Sequence, residues 1–270
     1  MTAKRSTLVA ALLALAAGAL WVLPSVWMLV TSLKPLAEIV RDPTAPLPSE
    51  PTLAAYREVF ELTPVAHQTF ISVVVAALIA MLQIGVGLPA AYALGKLHFR
   101  GRHVAWLIVL ACLLVPEQVT FVPVFLMLAE VGLVNTLAAL VLPFAASALG
   151  IFLIRQALRS VPDEIIEAAR LDGASELAIV YRILGPLVAP TLAAFALISF
   201  VFHFNDYFWP LVMTTDESVR TLPLGVALLR EPGTGVRWHV VMAGSVILSL
   251  PMLALFAALQ KHLVRAVGGG

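Results

Sequence analysis

Six stretches of the chain are apolar almost throughout, at roughly 7–31, 69–95, 104–127, 137–154, 189–213 and 238–260. A helix needs ~20 such residues, rising ~1.5 Å each, to cross a hydrocarbon core of ~30 Å. The fourth is the shortest, with the least sharp edges. The segments between them are polar and unlike one another. Residues 32–66 are long and proline-rich. Residues 96–103 hold Lys96, His98, Arg100, Arg102 and His103, whereas 128–136 hold no Lys or Arg. The pattern predicts an all-α membrane protein of about six transmembrane helices, in a single transmembrane domain over 1–270. No soluble domain, low-complexity tract or internal repeat is visible.

Charge orients these spans. With both termini in the cytoplasm, the inside segments carry eleven Lys and Arg and the outside segments six, the bias expected of cytoplasmic loops. The apolar run behind Lys4 and Arg5 is too long for a typical signal peptide and fits a retained first span. Composition agrees: 61% of residues are hydrophobic and 12% charged, against ~45–50% and ~25% in soluble domains. A net charge of +1 gives no global field for nucleic acid. The single cysteine, Cys112, sits in an apolar run and reads as a buried, inert thiol, excluding an intramolecular disulfide and a Cys-based metal site.

The segment 160–186 is the most informative loop, predicting two short helices joined at a glycine. Ser160 with Asp163 three residues on is a capping-box-like start, and Pro162 suits a first turn. Asp163 and Glu164 complement the helix dipole. Gly173 can take the left-handed conformation that ends a helix, Ser175 offers a second N-cap, and Pro186 comes where the second helix should break. Ala168 and Ala169 leave a smooth helix face that could lie in a partner's groove, with Glu167 and Arg170 as polar flanks. A capped helix resting on lipid headgroups satisfies the same physics.

Polar groups at or near membrane depth are the other candidates: Glu117, Gln118, His203, Asn205 and Asp206. They are costly in lipid and tend to face a bundle interior or cavity. Asn205 and Asp206 could hydrogen-bond the hydroxyls of a solute, and Tyr207 or Trp209 could stack on a solute face. Interhelical contacts or an interfacial aromatic belt are the alternative. Prolines within spans, Pro24, Pro89, Pro116, Pro123, Pro143, Pro210 and Pro251, are tolerated where neighbours or a cavity resatisfy the backbone.

The order Glu167-Ala168-Ala169, three residues, Gly173, nine residues, Ile183-x-Gly185-Pro186 resembles the EAA loop of the permease subunits of bacterial ABC importers, the MetI-like family of binding-protein-dependent transport. Gly185 stands where the family usually has Leu. The resemblance covers nearly the whole chain and points to the carbohydrate branch. It includes Ser32-Leu33-Lys34-Pro35, Ala91-Tyr92-Ala93-Leu94 leading to Phe99-Arg100-Gly101-Arg102, and Gly132-Leu133-Val134-Asn135-Thr136. Phe204-Asn205-Asp206-Tyr207-Phe208-Trp209-Pro210 is similar to the branch's Trp-Asn-Asp/Glu-Tyr-x-x-Pro element, with Phe204 replacing Trp. Ile71-Ser72 stands where the branch usually has Asn-Ser.

The resemblance implies a multi-pass, channel-forming permease subunit in the bacterial plasma (inner) membrane. The solute would be a sugar or sugar-like molecule, with subunits for glycerol 3-phosphate or disaccharides the nearer likeness. Its implied partners are a second homologous permease subunit, two cytoplasmic ATPase subunits that bind the ATP, and an extracytoplasmic solute-binding protein. This chain would be no enzyme and hold no cofactor or metal of its own. Glu167, Ala168, Ala169, Arg170, Asp172 and Gly173 would couple it to the ATPase. Glu117, Gln118, Asn205, Asp206, Tyr207 and Trp209 would line the translocation pathway.

Rival classes fit less well. No His-Glu-x-x-His or Gly-x-Ser-x-Gly element is present. Gly95-Lys96 lacks the upstream glycine and following hydroxyl of a Walker A loop. An ion-coupled secondary transporter would have to use Glu117 and Asp206 as its membrane carboxylates.

Overall fold

The computed structural model describes the backbone of residues 2–230 and 237–268, and within these every side chain except those of 2–10, 12, 117 and 258–268. Among the described residues its regular secondary structure is all helical, with no strand. In chain order the helices are α1 (Thr2–Ser32), α2 (Leu36–Arg41), α3 (Ala54–Leu62), α4 (Val65–Lys96), α5 (Arg102–Cys112), α6 (Glu117–Glu130), α7 (Leu137–Val141) and α8 (Ala148–Arg159). There follow α9 (Asp163–Leu171), α10 (Glu176–Ala178), α11 (Gly185–Leu187), α12 (Ala189–Phe204), α13 (Phe208–Met213), α14 (Leu222–Leu228) and α15 (Trp238–Gly268). A wide π-type turn over Ile179–Leu184 joins α10 to α11.

Three helical segments are continuous, long and apolar enough to cross a membrane: Leu13–Ser32, Val65–Lys96 and Trp238–Ala257. The other expected spans are interrupted. The third breaks into α5 and α6, because Pro116 lacks an N–H and biases Val115 away from helical backbone; it becomes the N-cap of α6. The fourth bends by 46° between Leu137–Phe144 and α8, and the segment Glu176–Leu187 bends by 85° into α12. The fifth stops at Phe204 and resumes at Phe208.

The chain folds as two compact units, Met1–His67 with Gly225–Ala258, and Gln68–Leu224 with Leu259–Gly270. In the first, Lys34 is wholly buried. Its ammonium donates to the Ala45 carbonyl at 2.5 Å and lies 5.3 Å from the centre of the Trp27 ring. The Ser32 and Tyr56 hydroxyls share a hydrogen bond of 2.7 Å, and Thr52 N–H donates to the Leu33 carbonyl. These bonds fold the proline-rich segment back on the end of α1. Glu58 on α3 is paired with Arg237.

The second unit is organised along α4, whose successive turns enter two apolar cores. Ile71, Val75 and Ile79 pack with Leu140, Trp209 and Met213. Leu88, Ala91 and Tyr92 pack with Ile154, Leu158, Ile166, Ile179 and Leu184. Helices α8 and α12 meet where Gly150 faces the buried ring of Phe195; a Cβ there would lie 2.4 Å from the Phe195 Cζ. The turn before α7 is set by Asn135, a non-glycine residue at φ 63°. Its Oδ1 accepts from the N–H groups of Thr215, at 2.6 Å, and Asp216, at 3.1 Å.

Candidate functional site

The segment 160–187 forms the expected hairpin, with one difference at its start. The Ser160 hydroxyl does not cap α9. It donates to the Ala157 carbonyl at 2.7 Å, closing the end of α8 in a local bond that competes with capping. Pro162 is the N-cap residue and makes no side-chain cap. The rest follows the sequence: Gly173 has φ +81°, the Ser175 hydroxyl accepts from the Ala178 N–H, and the chain turns just after Pro186.

The hairpin is fastened to α4 on its inner side. Tyr92 donates to Glu176 Oε2 at 2.6 Å, while Arg170 donates to Glu176 Oε1 at 2.9 Å and to the Tyr92 hydroxyl at 2.9 Å. Lys96 bonds the Val161 carbonyl at 2.6 Å and Asp163 at 2.5 Å. Tyr181 donates to the Gly85 carbonyl at 2.6 Å. The hydrogen bond from Lys96, reinforced by its charge, holds the Asp163 carboxyl below its usual range. The bond from Arg170, then that from Tyr92, does the same for Glu176.

This sorts the sequence candidates by direction. Ala169 turns inward with Ile166 into the core beside Leu158 and Val180, so the alanine pair is not one outward face. Arg170 is committed to Glu176 and Tyr92. Glu167, Ala168 and Asp172 point outward, together with Leu171 and Leu177, which are 89% and 66% exposed. Together with Ala168 these give the outer side of the hairpin an apolar surface flanked by the carboxylates of Glu167 and Asp172.

The second group gathers around the break between α12 and α13. Asn205 donates to the Val201 carbonyl at 2.8 Å, closing α12. Asp206 Oδ1 accepts from the Trp209 N–H at 3.3 Å, opening α13. Beside them lies a cleft of about 930 Å³, lined by Gln118, Phe121, Phe144, Asn205, Asp206 and Tyr207 among others. Gln118, Asn205, Asp206 and Tyr207 are therefore brought together. Trp209 touches the cleft but is no free stacking platform: it is buried, its indole donates to the Ala139 carbonyl at 2.9 Å, and its ring meets Phe121 and Phe144 edge-on. Glu117 opens α6, and its side chain lies outside the described residues. Cys112 is exposed and lines the cleft, contrary to the buried thiol expected from its apolar surroundings, because α5 ends there and leaves its last turn uncovered.

Sequence reading missed Gln83. It is buried in α4, donates to the Phe144 carbonyl at 2.9 Å, lies 3.3 Å from His203 Nε2 and accepts from Ser199 at 2.7 Å. A lone glutamine in an apolar run carries no periodic signal. Its partners are 61 to 120 residues away. Among the described residues no three of His, Cys, Asp and Glu converge as metal ligands would.

Residues 83–269 match the family described as binding-protein-dependent transport system inner membrane component. The arabinooligosaccharides transport system permease protein AraQ of Halalkalibacterium halodurans is 32% identical over 92% of this chain and 90% of its own length. The trehalose/maltose transport system permease protein MalG of Thermococcus litoralis is 31% identical, with coverage of 92% and 90%. The sn-glycerol-3-phosphate transport system permease protein UgpE of Yersinia enterocolitica is 32% identical over 76% and 73%. In structure, the chain superposes with a TM-score of 0.81, over 97% of each chain, on a chain of a bacterial ABC transporter involved in the import of the acidic polysaccharide alginate; at 24% identity this likeness concerns the fold.

Proposed function

The chain belongs to the binding-protein-dependent transport system inner membrane components, multi-pass permease subunits of ABC importers, and from that membership we propose the following division of labour. The chain forms one side of the channel for a sugar or sugar-like solute, with an oligosaccharide or glycerol 3-phosphate the nearest classes by its relatives' names. An extracytoplasmic binding protein delivers the solute, a second homologous permease completes the channel, and two ATPase subunits drive it from the cytoplasm. Both termini and the hairpin 160–187 lie on the cytoplasmic side, in keeping with the bias of Lys and Arg.

The observation that carries this reading is the two-sided hairpin. Its inner face is bonded to α4, and its outer face offers Glu167, Ala168, Leu171 and Leu177 to a groove in the ATPase, as helix-in-groove recognition requires. Gly173 holds the two arms at their angle, and nothing lies within 4 Å of where its Cβ would be. Substitution there acts through backbone strain and the outer face, leaving the core intact. The cleft beside Gln118, Asn205, Asp206 and Tyr207 is the solute's route. Asn205 and Asp206 cap the broken span and also present polar atoms along that route.

The test is a mild-detergent purification of wild type and Gly173→Asp. Wild type is expected to bring down an ATPase and a second permease, and the variant to retain the permease and lose the ATPase. Wild type purifying alone would overturn the importer assignment, and full ATPase recovery with the variant would remove the hairpin from the interface.

A further inference from the structure

Three arginines, Arg102, Arg155 and Arg159, collect where α4 ends and α5 begins, with Arg100 two residues before Arg102 in the connecting turn, and the division of labour above gives them no role. Arg155 is 8% exposed. Its Nε donates to the Leu94 carbonyl at 3.0 Å, and its guanidinium carbon sits 3.9 Å from the centre of the Trp106 ring, itself stacked on Phe152. Arg102 donates one N–H to the Leu97 carbonyl at 2.9 Å. Arg159, one turn beyond Arg155, is exposed, as is Arg100 in the connecting turn. Arg159 and Arg102 are the charges that repel Arg155.

Capping the last carbonyls of α4 accounts for one bond from each of Arg155 and Arg102. It does not account for gathering cations without an acid. Among the described residues none of the four is in an ion pair, and the nearby Asp163 is held by Lys96. Arg155 and Arg102 are fixed in place by these contacts with N–H donors to spare, and such guanidinium groups, joined by the exposed Arg100 and Arg159, suit the oxygens of a phosphate. Apolar surface runs directly from this cluster. Helix α5 buries no residue and exposes Val104, Leu107 and Ile108, while Phe99 beside it is half-exposed.

We propose that this end of α5 binds an anionic phospholipid, its headgroup phosphate on Arg100, Arg102, Arg155 and Arg159 and its acyl chains along α5. A free phosphate would use the arginines and leave the apolar face idle, and the lipid uses both. The proposal needs the chain to lie in a membrane and does not depend on the role given to the hairpin.

The test uses the assembled transporter with the full-length chain, titrated by native mass spectrometry with phosphatidylglycerol and with phosphatidylcholine of the same acyl chains. Phosphatidylglycerol is expected to be held selectively. Arg159→Gln should weaken it about fivefold, the effect of one basic residue near a lipid surface, and adding Arg100→Gln should weaken it further. Both side chains are exposed, so the fold is expected to survive, with Arg41→Gln as a control of equal charge change. Equal retention of the two lipids, or selectivity unchanged in the double variant, would overturn the proposal. Displacement of the lipid by equimolar inorganic phosphate would make this a soluble-anion site instead. Loss of the ATPase with lipid binding intact would make the arginines a protein contact.

Discussion

Single residues decide how closely the elements approach. Gly150 is the sharpest case, because its missing Cβ is the space in which the Phe195 ring sits. Gly150→Ala should destabilise the protein by ~1–3 kcal/mol through overpacking. It is expected to lower the melting temperature in detergent, with Phe195→Leu in the same chain restoring part of the loss; an unchanged melt would show that the α8–α12 contact yields freely. The sequence gives no hint of this role, since an apolar run tolerates glycine at many places and only the facing helix fixes which one is needed. Gly173 and Ser175 were legible because their work is local: a left-handed turn, and a hydroxyl that accepts from the N–H three residues on. Ser160 was misread for the same reason, as two local bonds compete for one hydroxyl and the nearer carbonyl of Ala157 wins. Cys112 was misplaced because exposure at a span break depends on which neighbours cover it, and these lie far along the chain.

At the scale of elements, the hairpin is held to α4 by bonds that depend on charge. Asp163 and Glu176 both have carboxyls depressed by their partners, Lys96 for the first and Arg170 with Tyr92 for the second. A depressed carboxyl contributes its stability above its unfolded value, roughly 4, and loses it as pH falls through the folded one. The hairpin's amides should therefore keep full protection from hydrogen exchange near neutrality and lose part of it below about pH 4, ahead of those in α12, the apolar contacts with α4 supplying the remainder. Asp163→Asn should abolish part of that acid dependence. Equal loss in both elements would assign the effect to global unfolding. The hairpin was readable from the sequence because its capping residues are in contiguous positions. The breaks at 113–116 and 205–207 were not, since a hydropathy window averages across them. Pro116 marked the first, and the second rests on Asn205 and Asp206 turning their side chains back on the adjoining helix ends.

At the scale of the whole molecule, the apolar stretches announced a membrane protein. The cleft proposed as the solute's route is assembled from residues 112 to 209, and no local pattern reports it. Cys112 lines that cleft and is the chain's one cysteine, so the protein carries its own reporter. A small water-soluble maleimide is expected to label Cys112 in membranes holding the assembled importer, at a rate that changes when ATP is supplied, and Cys112→Ser should remove the signal. Labelling that is absent in every state would mean that the cleft is filled by a neighbouring subunit instead of water. The fastenings along α4 have a mechanical consequence as well. Tyr181 is tied at Gly85, Glu176 and Arg170 at Tyr92, and Asp163 at Lys96, so three successive stretches of one helix grip the hairpin like rungs. A load applied to the hairpin then has little slack to absorb it. Carried along α4, it would cross Pro89, Gly87 and Gly85 before reaching Gln83, which holds Ser199, His203 and the carbonyl of Phe144, and Phe144 in turn lines the cleft.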